Sequence, residues 1–166
     1  MANVKWQPTW HVKHIRNGEV IWEEEITANI LHDEGEQFIV QVVFSEAQSV
    51  PAAYYIGLDN RSSPAEADTL TELSGEPSGN GYARQAVNSD ATDWTVTQEG
   101  GDYQAKSKTV TFTASGGSWP SVQQMFLCTV ASGTAGKLIA TAALSAARVL
   151  QDQDSLQTDI AIKLSE

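Results

Sequence analysis

The stretch SGEPSGNGYARQAVNS, residues 74–89, has the glycine content of a phosphate-binding loop. A Walker-type loop needs a lysine and a hydroxyl residue after its last glycine, but Gly81 is followed by Tyr82 and Ala83. A dinucleotide-binding loop needs a strand before it and a helix after it, whereas here a polar loop precedes and an extended segment follows. The stretch is therefore predicted to turn the chain into a strand that carries Tyr82 and Arg84 on one face. Arg84 becomes a candidate for a cross-strand or inter-subunit ion pair.

Three other groups of residues have types that bind metals or move protons. His11 and His14 are three residues apart, but on the strand predicted there they point to opposite sides. Asp152 and Asp154 resemble half of a calcium loop, without the glycine and distal glutamate of an EF-hand. His32 and the two acidic residues after it are best interpreted as a solvated loop and helix cap. With no nucleophile placed beside a histidine and an acid, the sequence predicts no enzyme activity, no metal and no cofactor.

Charge and composition narrow the classes of partner. The 166 residues carry 21 acidic and 10 basic side chains, a formal net charge of -11, which repels nucleic-acid backbones and anionic membranes. No apolar run approaches the roughly 18 residues that span a bilayer. The single cysteine, Cys128, lies in the apolar run MFLCTV and is expected to pack in the core. A soluble protein that matures in a cytoplasm, without nucleic-acid or membrane partners, is expected.

Two local elements are predicted in residues 1–50. Asn17-Gly18 between two extended segments is the strongest short-range hairpin signal, and a two-residue turn places Arg16 opposite Glu19. Further along, the same register pairs Lys13 with Trp22 and His11 with Glu24. Asp33 precedes Glu36 by three residues, as in a capping box, and apolar residues follow at helical spacing. The second element is therefore a short helix over about 34–45.

The rest of the chain has the pattern of short strands separated by turns. KTVTFTAS alternates, with Val110, Phe112 and Ala114 on one face, while MFLC is apolar throughout, as in a strand covered on both sides. One helical turn fits ADTLTEL. The pattern predicts a mainly β protein, an antiparallel jelly-roll-like β-sandwich with one or two short helices. We divide it into an N-terminal arm, hairpin and helix, 1–50, and a sandwich, 51–166, which together form one compact unit.

The order of these strands resembles a group of tailed-bacteriophage virion proteins. The matching segments are YYIGL, DTLTEL, GYARQAV, a tryptophan segment, TVTFTA, SWPSVQQMFL, GKLIATAAL and LQDQDSLQTDIAIKLS, from Tyr54 to Ser165. GYARQAV is the most specific of them. The closing turn, which in the group commonly carries Gly-Asp, reads Gln153-Asp154 here. The resemblance implies a structural, non-enzymatic role in a virion assembled in the host cytoplasm.

Within that group, the short single-module chain favours a capsid decoration protein that bridges capsomers of the major capsid protein. Trp6 and Trp10 flank Pro8 in a segment suited to an arm on a neighbouring subunit, and the loop 60–80 is a second candidate contact. Self-association as a trimer is expected. The alternative is a tail, neck or fibre-associated module, whose five tryptophans offer a platform for stacking on sugars.

Overall fold

The computed structural model describes residues 5–165 as two antiparallel sheets and one helix. The strands are β1 Lys5–Arg16, β2 Glu19–Ile26, β3 Ile30–Leu31, β4 Ala53–Asp59, β5 Gln85–Asn88, β6 Trp94–Glu99, β7 Asp102–Ser107, β8 Val110–Thr113, β9 Trp119–Cys128, β10 Leu138–Leu150 and β11 Ser155–Ser165. The helix α1 is Asp33–Val40, continued by a π-helical turn, Gln41–Ser45, and a 3-10 turn lies at Leu70–Glu72. The predicted mainly β sandwich with short helices is confirmed.

Each sheet mixes strands from distant parts of the chain. The first has the order β2-β1-β11-β7-β6, with β8 pairing the beginning of β11, and the second has the order β3-β10-β9-β4-β5. Alternate residues of each strand point between the sheets and form one continuous core. In β8, Val110 and Phe112 point inward as predicted, and Cys128 at the end of β9 is fully buried. Burial raises the pKa of the Cys128 thiol, which keeps it in the neutral, unreactive form.

The first hairpin turns at Asn17 and Gly18, as predicted. Both residues have positive φ, 52° and 80°, which a type I′ turn requires and which asparagine and glycine tolerate best. Arg16 pairs with Glu19 across the turn. Local sequence alone therefore specified this turn.

The register further from that turn differs from the prediction because of a bulge at Ile21. The bulge leaves Ile21 without a partner and moves each later pair by one residue. Lys13 faces Glu23 and His11 faces Glu25, in place of Trp22 and Glu24. The shifted register brings Lys13 within 3.4 Å of Glu23 and His11 within 2.8 Å of Glu25, so opposite charges still meet across the strands.

The predicted helix is confirmed, but its predicted capping box is wrong. The N-cap is His32, which makes no side-chain capping bond, and Asp33 is already the first helical residue. The backbone N–H of Asp33 instead donates to the Glu66 carbonyl, so tertiary contact replaces the cap. A capping box does occur at the 3-10 turn, between Thr69 and Glu72.

Residues 5–16 form an internal strand, so the prediction of a free arm is corrected for these residues; its first four residues lie outside the described part of the chain. β1 lies between β2 and β11, and its pairing with β11 extends from Lys5 to Ile15. Trp10 is fully buried, because β-strand alternation directs it inward together with Val12. β3 supplies an edge of the second sheet, so residues from the first fifty contribute to both sheets of the sandwich.

Candidate functional site

An apolar cavity of about 290 Å³ lies between the two sheets next to the helix. The first sheet lines it with Trp6, Trp94, Ala105 and Ile162, the second with Tyr54, Leu127 and Ile139, and α1 with Ile39. These strands converge there because β1 and β11 run side by side, as do β4, β9 and β10. The cavity has the dimensions of the smaller ligand pockets of proteins.

The aromatic rings of Trp6, Tyr54 and Trp94 line this cavity, which we call the aromatic cavity. The Tyr54 ring meets both Phe38 and Trp94 edge to face, with centroids 6.5 Å and 6.2 Å apart, an arrangement that aromatic pairs prefer. Burial raises the pKa of Tyr54, so its hydroxyl stays neutral. The other lining groups are mostly alkyl. Such walls suit an apolar ring or a branched alkyl group.

Polar atoms at the edge of the aromatic cavity lack protein partners. The indole N–H groups of Trp6 and Trp94 and the hydroxyl of Ser89 are buried and have no hydrogen-bond partner among residues 5–165. An unpaired buried donor costs free energy, and proteins seldom leave several of them together. These three polar groups beside the cavity therefore have unused hydrogen-bonding capacity in the isolated chain.

The four sequence-predicted interaction residues do not form one site. Trp6 lines the aromatic cavity, while Trp10, four residues further along the same face of β1, packs in the core. Tyr82 and Arg84 come before β5 and are not part of it. Both bond to Glu76 in the loop that precedes them, but Tyr82 packs in the core between the sheets and Arg84 lies against a separate apolar cluster, so the predicted common face is wrong.

Arg84 forms its ion pair within the chain, with Glu76 in the preceding loop and not with a residue across a strand. Its buried guanidinium forms two hydrogen bonds of 2.8 Å to the Glu76 carboxylate and donates to the carbonyls of Val130 and Gly133. It also lies over the Phe126 ring, 5.1 Å from the centroid. Although burial opposes it, the pairing with Glu76 raises the pKa of Arg84. The side chain thus ties the glycine-rich stretch to the loop between β9 and β10.

The Tyr82 side chain is also held by contacts within the chain. Its ring packs against Phe112 and Trp119, its hydroxyl donates to Glu76, 2.7 Å away, and it accepts from the Leu58 backbone N–H at 2.9 Å. Burial, followed by the neighbouring Glu76 charge, raises the pKa of Tyr82 far above its usual range. Gly79, Asn80 and Gly81 all have positive φ, so the opening stretch is a turn, as predicted.

Several buried titratable side chains also bind the backbone. His32 contacts the Glu66 carbonyl and the Thr141 hydroxyl, and burial lowers its pKa. Asp59 accepts from the N–H groups of Arg61 and Gly75, and burial raises its pKa. These groups hold the loop after β4 against the second sheet, which accounts for their burial without catalysis.

The five tryptophans differ in how far they are exposed. Trp10 and Trp119 are fully buried, and Trp6, Trp22 and Trp94 are half-buried. The Trp22 ring is further covered by Arg148, whose guanidinium lies 4.1 Å from the ring centroid. The structure therefore reduces the predicted platform from five tryptophans to three half-buried rings.

Sequence reasoning missed the aromatic cavity. Tyr54, Trp94 and Ile39 were placed on elements of the right type, but no local pattern indicated that β4, β6 and α1 meet. The one usable pattern is the alternation that places Trp94 and Val96 on the same face of β6. This pattern identifies the apolar face of the strand but not the elements that pack on that face.

The structure thus defines an antiparallel β-sandwich protein with an apolar, aromatic-lined cavity between its sheets. Residues 31–163 match the family described as podophage GP4 fiber I protein gp80. Because the match covers most of the chain, the protein belongs to this family. No curated protein matches the chain.

The family confirms a phage structural protein and a virion component. It begins at residue 31, earlier than the resemblance that started at Tyr54, and it does not support a separate group defined by the GYARQAV stretch. It favours the fibre alternative over capsid decoration. Within residues 5–165, no helix is long and apolar enough to cross a membrane.

Proposed function

We propose that the protein is a non-enzymatic structural component of the phage tail-fibre apparatus. The observation that carries this proposal is the match of residues 31–163 to a podophage fibre family. The tertiary structure supports it in a second way, because β1 is an internal strand. The free arm that favoured attachment to a capsid shell is absent from residues 5–16.

The arrangement of polar groups supports a mechanical role. His14, His32, Asp59 and Asp154 are buried and are used to fasten loops and strands. The most accessible specific feature is apolar: the aromatic cavity and the exposed side chains around it. Contacts with other structural proteins, or with further copies of the chain, are what such a surface provides.

Immunogold labelling of intact virions, with quantitative mass spectrometry of the same particles, tests the location. We expect gold particles at the tail and a copy number far below that of the major capsid protein. An antibody against the major capsid protein is the matched control, because it must label the shell. Label over the shell, with a copy number comparable to that of the capsid protein, would refute fibre placement and restore capsid decoration.

A further inference from the structure

The core-facing side of the first sheet continues beyond the aromatic cavity as an exposed apolar surface. Val96 pairs with Ala105, and Leu164 pairs with Trp6, so each lies on the same sheet face as a residue that lines the cavity. Tyr103 lies two residues before Ala105 and shares that face by alternation. Val96, Tyr103 and Leu164 are each more than half exposed. In the isolated chain, a face of the type that normally packs in a core is left open to solvent.

The helical segment next to the aromatic cavity carries an exposed apolar knob. Phe44, in the π-helical turn, is 81% exposed, and Val40 and Val43 beside it are more than half exposed. Ile39, only five residues before Phe44, lines the cavity. The helical segment thus contributes both to the wall of the cavity and to an apolar projection, the two complementary parts of a packing contact.

We propose that the aromatic cavity is the socket for Phe44 of a second copy of this chain. A dry apolar cavity of about 150 Å³ holds a benzene molecule, so about 290 Å³ accommodates a phenyl ring. The walls offer Tyr54 and Trp94, whose edges and faces are the preferred neighbours of another aromatic ring. Val40 and Val43 of the incoming helix then cover part of the exposed face that Val96 and Leu164 present.

A second copy is the occupant because the chain itself carries the complementary group. Knob and socket are close together in the helical segment, so two copies can exchange Phe44 reciprocally about a two-fold axis, or several can close a ring. The net charge of -11 opposes association in dilute salt, but burial of several apolar side chains works in the other direction. This inference concerns the purified chain and does not rest on its location in the virion.

Sedimentation-equilibrium measurements on the full chain and its variants test the proposal. They are made at about 0.3 M salt, where repulsion between the acidic chains is screened. We expect the wild type to self-associate, and Phe44→Ala to raise the dissociation constant about tenfold or more. Ala105→Ile places extra carbon atoms in the cavity, so it should weaken association to a similar degree.

One control variant and one folding measurement show whether weaker association is due to the contact between Phe44 and the cavity. Val149→Ala removes an exposed apolar group from β10, ten residues and up to about 30 Å of extended strand from the cavity-lining Ile139. It should leave the dissociation constant unchanged. Thermal unfolding of Ala105→Ile must show an intact fold, and Ala105→Val, which adds fewer carbon atoms to the same cavity, replaces it if it does not. A wild type that stays monomeric at millimolar concentration, or association that neither Phe44→Ala nor the Ala105 variant weakens, would overturn the proposal.

Discussion

Asp154, in the turn between β10 and β11, joins that turn to the first strand. Its buried carboxylate accepts two hydrogen bonds from the Arg16 guanidinium, one from His14 at 2.9 Å and one from the Gln151 backbone N–H at 2.8 Å. The bonds from Arg16, and then that from His14, hold the pKa of Asp154 well below its usual range. The Asp154 carboxylate, which in the sequence resembles part of a calcium loop, therefore links the turn between β10 and β11 to the end of β1.

We predict that Asp154→Asn lowers the free energy of unfolding by about 2 kcal/mol at neutral pH, since charge-assisted bonds are lost. The folded-state pKa lies below the unfolded value of about 4. The stabilisation is therefore complete above that value and is lost as the pH falls through the folded-state pKa. Urea denaturation should show a smaller difference between wild type and variant at pH 3 than at pH 7.

The control for this prediction is Asp152→Asn in the same turn. The Asp152 carboxylate is exposed and accepts from the N–H groups of Gly116 and Gly117, so its replacement should cost less than 1 kcal/mol. A difference of equal size at pH 3 and pH 7 for Asp154→Asn would contradict the role assigned to its charge.

At the scale of elements, the contact between α1 and β10 decides how the cavity is closed. Gly35 lies directly on the backbone of Ile139, and a Cβ at this position would lie 2.5 Å from the Ile139 carbonyl oxygen and 2.8 Å from its Cα. The backbone N–H of His32 donates to the same carbonyl at 3.0 Å. Glycine is thus required for close approach, although it is a poor helix former.

Gly35→Ala is predicted to lower the free energy of unfolding by about 2 kcal/mol, because the helix must move away from β10. In an exposed helix the same change would stabilise by about 1 kcal/mol, so the sign distinguishes the two situations. Chemical denaturation measures it. Gln37→Ala, on the exposed side of α1, is the matched control and should be neutral or slightly stabilising. An increase in stability for Gly35→Ala would show that α1 does not pack this closely.

At the scale of the whole molecule, the first sheet depends on its N-terminal strand. β1 is paired on both sides, with β2 and β11, and it places Trp10 and Val12 in the core. Both neighbouring strands lose pairing if β1 is shortened. Residues 5–16 are therefore part of the folding unit and cannot be removed as an appendage can.

Deletion of residues 1–10 is predicted to abolish cooperative unfolding, since it removes half of β1 and the fully buried Trp10. Circular dichroism and thermal melting of the purified variant measure this. Gln7→Ala, an exposed position of the same segment, should melt like the wild type. If the truncated chain melted cooperatively near the wild-type temperature, the N-terminal segment would be an arm after all.

Sequence reasoning worked best where the deciding interactions are local. Asn17-Gly18 specified a turn because few residues accept positive φ, and the alternation around Val110 and Phe112 specified a half-buried strand. The helix was also predictable from its apolar spacing. The register beyond the hairpin was not, because the bulge at Ile21 depends on packing across the sheet.

The candidate site was far less predictable than the fold. Trp6 and Trp10 look equivalent in the sequence, yet Trp6 lines the aromatic cavity and Trp10 is buried in the core. The difference depends on how the second sheet and α1 cover each side chain, which local sequence does not show. Arg84 was recognised as an ion-pair partner, but its partner Glu76 lies in the same loop and not across a strand.

The sequence by itself determined an acidic, antiparallel sandwich, because charge, alternation and turn residues are properties of short segments. Tertiary structure alone decided that β1 is an internal strand and that an apolar cavity lies beside α1. It also decided that Phe44 projects into solvent close by. The physical reason is that burial depends on which elements meet, and strands separated by more than a hundred residues, such as β1 and β11, meet only in the folded chain.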